Sequence, residues 1–249
     1  MGSRIQIQLW GALWLLGCSF LPGQESQLKR LIPKSASNPT GLQIGVVPEG
    51  FGKLPKDAEE WAEKGAMASA DMDWKTARQA YLEMLRLAPD NPLAISNLGA
   101  VEFRLGRRSE AAQLLEKATK LAPEIAQNWL TLGVIYWREE KLHLAMSALS
   151  RALHEDPGDP RAHNYLGVVI RDLGWNVGAE IELQRALILD PGYAEAHFNL
   201  AVMYLDQKPP LIELARRHYY AAVDYGSQAD PEFEALLQHS QDPISSPSR

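Results

Sequence analysis

Residues 128–157 read NWLTLGVIYWREEKLHLAMSALSRALHEDP. Trp129, Leu132 and Tyr136 are spaced by three and four residues, so a helix gathers them on one face. Gly133 lies on that face and lets a neighbouring helix approach closely, at a cost of about 1 kcal/mol in helix propensity. Glu139 to Lys141 form a turn. Ala145, Leu149 and Ala152 then make the apolar stripe of a second helix, whose small residues permit a close crossing of the two. Pro157 cannot continue a helix interior and closes the unit.

The same pattern recurs on both sides of this stretch. Gly65, Gly99, Gly133, Gly167 and Ala201 are each 34 residues apart. Ala77, Ala111, Ala145 and Ala179 keep that interval, as do Pro89, Pro123, Pro157 and Pro191. Leu98, Leu132, Leu166 and Leu200 form a fourth column, with Lys64 as its exception in the first copy. Four columns in register across four or five copies define an internal repeat.

WLTLGVIY (129–136), followed in register by the alanine, large apolar residue, alanine and proline, resembles the tetratricopeptide repeat signature. The resemblance implies an all-α, right-handed superhelical solenoid of about five helix-turn-helix repeats plus a C-terminal capping helix. The expected solenoid covers 58–227, in units 58–91, 92–125, 126–159, 160–193 and 194–229. Several positions depart from the pattern. Glu102 occupies the tyrosine column with Phe103 beside it, and His163 and His197 stand in the tryptophan column. The fifth copy carries a two-residue insertion at QKPP (207–210) and lacks the closing proline. PEFEALLQ (231–238) reads as a cap, expected over 230–240, because a last repeat without one exposes its apolar face. Residues 241–249 read as a tail.

The chain has a net charge of −6, without the basic stripe of a nucleic-acid binder, so no nucleic-acid partner is expected. A single cysteine excludes an internal disulfide and a cysteine-based zinc site. There is no glycine-rich phosphate loop, no HExxH and no G-x-S-x-G, and the six histidines are dispersed. His163 and His197 fall in a packing column, and Glu59–Glu60 and Glu139–Glu140 sit at helix ends or turns. The expectation is a non-enzyme without cofactor or metal.

By the resemblance, partners dock in the concave groove lined by the first helix of each pair. The groove positions are Asn97, Phe103, Arg104, Trp137, Arg138, Arg161, Asn164, Arg171, Phe198 and Asn199. Arginine forks recognise carboxylates, asparagines pair with peptide backbone, and large aromatics anchor interfaces. The expected ligand is an extended or helical peptide of acidic character; the competing reading makes these arginines ordinary solvated residues. The carboxylate clamp of chaperone-binding members is not reproduced, since Ser96, Ala100 and Thr131 stand where it needs other groups.

The start of the chain is of another kind. Arg4 is followed by an apolar run from Leu9 to Leu16, shorter than the ~20 residues of a membrane-spanning helix and laid out like a signal peptide. Its end, LLGC (15–18), resembles a bacterial lipobox, with Cys18 as the acylated residue. On that reading 1–17 is cleaved, and 18–57, with prolines at 22, 33, 39, 48 and 55, is an extended tether. Cleavage after Ser19 or Gly23, or retention as an uncleaved anchor, are the alternatives. The expected protein is a lipid-anchored bacterial envelope scaffold serving assembly of an envelope or secretion complex. Two other readings stand beside it: an exported soluble or self-associating subunit resting on Leu205, Tyr219 and Tyr220, and an accessory subunit of an envelope glycan enzyme.

Overall fold

The computed structural model describes residues 54–239. The expected leader, Cys18, nearly all of the tether and the tail lie outside the described residues. Eleven α-helices and no strand occur among the described residues. The inner helices are α1 (Lys56–Ala70), α3 (Pro92–Arg104), α5 (Ala126–Arg138), α7 (Pro160–Asp172) and α9 (Ala194–Asp206). Each is followed by an outer helix: α2 (Trp74–Leu87), α4 (Arg108–Leu121), α6 (Leu142–Glu155), α8 (Asn176–Leu189) and α10 (Ile212–Asp224). A short α11 (Pro231–His239) closes the row. Each inner helix packs most extensively on its own outer helix, and successive pairs stack into a solenoid.

The columns of the sequence are the contacts of this stack. Ala77, Ala111, Ala145, Ala179 and Ala215 are fully buried on the outer helices. One turn further on, Tyr81, Leu115, Leu149, Leu183 and Tyr219 are buried as well. The glycines lie beneath these large residues. A Cβ on Gly133 would stand 2.6 Å from Leu149 Cγ, closer than atoms approach, so the inner helix can sit this near only without a side chain there.

The turns repeat too. Met72, Gly106, Glu140 and Gly174, again 34 residues apart, all have positive φ (57°, 79°, 59° and 88°). A left-handed residue ends each of the first four inner helices, a conformation that costs a non-glycine residue roughly 1–2 kcal/mol; α9 instead ends in extended backbone at Gln207. Side-chain caps start several helices. Asn91 Oδ1 accepts from the Ala94 amide at 2.9 Å, and Asp159 Oδ1 from the Arg161 amide at 2.8 Å. On the outside, α8 differs from its neighbours: Val177, Ile181 and Ile188 are exposed where α6 has His143, Ser147 and His154.

The tryptophan column explains its own exceptions. The Trp129 indole N–H donates to the Pro123 carbonyl at 2.7 Å. His163 and His197 each place Nε2 at the equivalent proline carbonyl, Pro157 at 3.2 Å and Pro191 at 3.1 Å. Histidine therefore substitutes for tryptophan because both carry a ring N–H at the far edge. The smaller ring leaves its other nitrogen to satisfy, and the facing outer-helix position changes accordingly. It is Ala148 in the Trp129 repeat, Glu182 in the His163 repeat and His218 in the His197 repeat. His163 Nδ1 lies 2.7 Å from Glu182 Oε2, and His197 Nδ1 lies 2.9 Å from His218 Nδ1.

The Pro191 carbonyl takes a donor at His197 Nε2, and one proton shared between the two Nδ1 atoms completes the contact with His218. Burial, then the neighbouring His197 and Arg217, push His218 down from its ordinary value near 6.5 to about 4, against a smaller upward pull from Glu180. Between those values the unfolded chain binds a proton that the folded chain does not. Stability is therefore lost as pH falls from about 6.5 towards about 4. Urea melts across that range should show the slope, and His218→Gln, which keeps a donor but does not titrate, should flatten it. Parallel pH profiles for the two proteins would contradict this assignment.

Candidate functional site

The inner helices carry the groove residues to one face, but the structure treats them unequally. Arg161 is held by its own helix cap: Nε and Nη2 reach the two carboxylate oxygens of Asp159 at 2.9 and 2.7 Å, and Nη2 also reaches Gln127 Oε1 at 3.0 Å. The Asp159 hydrogen bonds raise the Arg161 guanidinium above its ordinary value, against the opposing effect of burial. Arg171 is paired with Asp172 at 3.0 Å, and the other oxygen of Asp172 accepts from the Trp137 indole at 2.9 Å. These two charges are already answered within the chain.

Arg104 and Arg138 are not. Neither has a carboxylate within ion-pair distance among the described residues. Each lies over an aromatic ring instead, Arg104 5.0 Å from the centre of Trp74 and Arg138 5.5 Å from that of Phe103. Burial lowers the Arg104 guanidinium from its ordinary value, and its Nε has no acceptor among the described residues. Arg104 remains partly exposed and Arg138 is exposed. Trp137 continues the aromatic row, its ring 6.1 Å from that of Tyr165.

The asparagines do not present free amides. Asn97, Asn164 and Asn199 are buried, and Asn199 donates to Asn164 Oδ1 at 2.8 Å. The Asn199–Asn164 bond ties α9 to α7. Phe198 is also interior: its ring stands 5.6 Å from Phe233 of α11 and 6.4 Å from Tyr219. The capping helix covers it, so it does not line an open groove. The apolar positions expected to support self-association divide similarly, with Leu205 and Tyr219 buried and only Tyr220 exposed.

Sequence reading missed three participants. Asp159 and Asp172, the counter-ions, stand one or two residues from the arginines they neutralise and could have been found by proximity. Trp74 belongs to the preceding repeat, thirty residues before Arg104, and nothing local joins the two.

The family model described as tetratricopeptide repeat matches residues 68–126, 96–160 and 130–194, which together span about half of the chain. The chain belongs to the tetratricopeptide repeat family. This tetratricopeptide repeat protein is 31% identical over 126 residues to "Protein CTR9 homolog" of Arabidopsis thaliana, covering 50% of the chain but 12% of that protein. It is 29% identical over 119 residues to "Cellulose synthase 2 operon protein C" of Komagataeibacter xylinus, covering 47% of the chain and 9% of that protein. The chain thus matches only a small part of either relative. Among solved structures, a MamA RS-1 double mutant superposes with a TM-score of 0.61 at 19% identity, covering 76% of this chain and 99% of that one. YrrB, described as a tetratricopeptide repeat protein with an unusual peptide-binding site, superposes with a TM-score of 0.57 at 24% identity, covering 74% and 91%. At these identities the likeness is one of fold.

Proposed function

We propose that this tetratricopeptide repeat protein is a non-enzymatic scaffold that holds a peptide segment of a protein partner on its inner-helix face, and that the segment is acidic. The observation that carries this reading is the division among the arginines. In a chain of net charge −6, two groove guanidiniums are satisfied by carboxylates, and two lie on aromatic rings with no carboxylate within ion-pair distance among the described residues. A guanidinium backed by a ring keeps its fork free for a carboxylate, and at Arg104 partial burial strengthens such a contact. The lipobox-like LLGC supports the second half of the proposal: the scaffold is exported, acylated at Cys18 and tethered to a bacterial envelope membrane, where it serves assembly of an envelope or secretion complex.

One preparation tests both halves. Full-length protein is recovered from bacterial membranes as parent, Cys18→Ser and Arg104→Ala/Arg138→Ala forms. Intact mass should show loss of residues 1–17 and added lipid in the parent and in the arginine variant, which keeps Cys18, but not in Cys18→Ser. Partner retained by the arginine variant should fall about tenfold or more, the scale of losing charge-assisted hydrogen bonds. Unlipidated parent would sink the tether, and undiminished retention would sink the groove.

A further inference from the structure

We infer that Arg104 and Arg138 together read two acidic side chains three residues apart on one extended, polyproline-II-like peptide; this rests on the groove reading above. The two arginines occupy the same place, the last residue, in α3 and α5. Those helices pack side by side, so their equivalent positions are separated by about one interhelix distance, roughly 8–10 Å. A polyproline-II chain rises about 3.1 Å per residue with three residues per turn. Side chains at i and i+3 therefore point the same way about 9 Å apart, matching the spacing of the two helix ends that carry the arginines. A β-strand fits less well, because its same-face residues fall about 6.7 or 13 Å apart.

The rest of the face suits the same conformer. The Phe103 and Trp137 rings stand at the ends of the same two inner helices as the arginines, with Trp74 of α2 under Arg104, and polyproline-II segments dock on aromatic surfaces with little entropy left to lose. The inner-helix asparagines that could hydrogen-bond a strand's backbone are buried and bonded to neighbouring inner-helix side chains, Asn199 to Asn164 and Asn128 through its Oδ1 to Ser96. A polyproline-II ligand needs no backbone ladder.

The test uses the full chain and fluorescein-labelled synthetic peptides on a proline scaffold. They carry one glutamate, two glutamates at i and i+3, two at i and i+1, two at i and i+5, or glutamines at i and i+3; a helical peptide with glutamates at i and i+7 completes the set. Fluorescence anisotropy at low salt gives each affinity. The i,i+3 peptide should bind about tenfold or more tighter than the single-glutamate peptide, because the second contact forms within an already bound chain. Arg104→Ala or Arg138→Ala alone should each reduce it to the single-glutamate level, while Arg161→Ala, whose guanidinium is already bonded to Asp159, should leave the spacing preference in place. Equal affinity at every spacing, a preference that survives Arg104→Ala, or tighter binding of the helical peptide would overturn the inference and leave the groove reading standing. Failure of every peptide to bind would overturn both.

Discussion

Tyr219→Ala should cost about 3–5 kcal/mol, the range for removing a fully buried aromatic ring. Tyr219 has no exposed surface and stacks on Phe233 with ring centres 4.8 Å apart and planes 9° from parallel. Its hydroxyl accepts from the Asp230 amide at 2.7 Å, at the start of α11. Burial pushes that phenol up to about 12, consistent with a hydroxyl kept neutral in the core. One side chain thus fastens the cap by both its face and its tip. In a solenoid each repeat leans only on its neighbours, so the damage should be local. Hydrogen exchange should speed up across α9 to α11 and stay unchanged in α3 to α5. Tyr219→Phe, which keeps the ring and orphans the Asp230 amide, should lose about 1–3 kcal/mol. A uniform loss of protection along the chain, or an alanine variant within about 1 kcal/mol of the parent, would refute this account of the cap.

The second large effect is expected from Arg78→Ala. Glu102 stands where the repeat usually has tyrosine, and it is buried. Arg78 Nε bonds it at 2.7 Å, and Arg107 Nη1 reaches it more distantly at 3.4 Å. Removing the nearer guanidinium leaves a buried carboxylate with one long contact, a change of about 3–5 kcal/mol when no partner remains. The surviving Arg107 places the expected loss at the lower end of that range. Replacing both residues with methionine should recover most of it, since two apolar side chains leave no charge to satisfy. Urea midpoints of Arg78→Met, Glu102→Met and the double form the required cycle. Additive losses would mean that the pair does not act as a unit. The same place is used differently in the fifth repeat, where the Tyr204 hydroxyl donates to Glu180 at 2.7 Å. The polar link between adjacent repeats is retained there while its chemistry is inverted.

The repeat was legible because its spacing is enforced by contact. Each glycine lies under a large residue of the same unit, and each alanine at a helix crossing, so packing writes the period directly into the chain. The groove was legible only as a set of positions. Which arginines are free depends on neighbours the period does not constrain: Asp159 and Asp172 beside two of them, Trp74 and Phe103 beneath the others. Phe198 shows a different limit. PEFEALLQ can be read as a helix that must cover the last apolar face, but Phe198 lies on that face, and only the packed structure shows that covering the face takes it out of the groove.

The ring–carbonyl bond at the last three repeat junctions bears on how such a chain can change over generations. Tryptophan over alanine works, and so does histidine over glutamate, but the mixed forms do not. A histidine acquired first faces Ala148-like carbon with a nitrogen unanswered, and a glutamate acquired first meets an indole that offers it no donor. Passage from one state to the other crosses a less stable intermediate whichever residue moves first. The units look interchangeable by their period, yet splicing half of one onto half of another would split these pairs. The unit of inheritance in this solenoid is the matched pair across two helices.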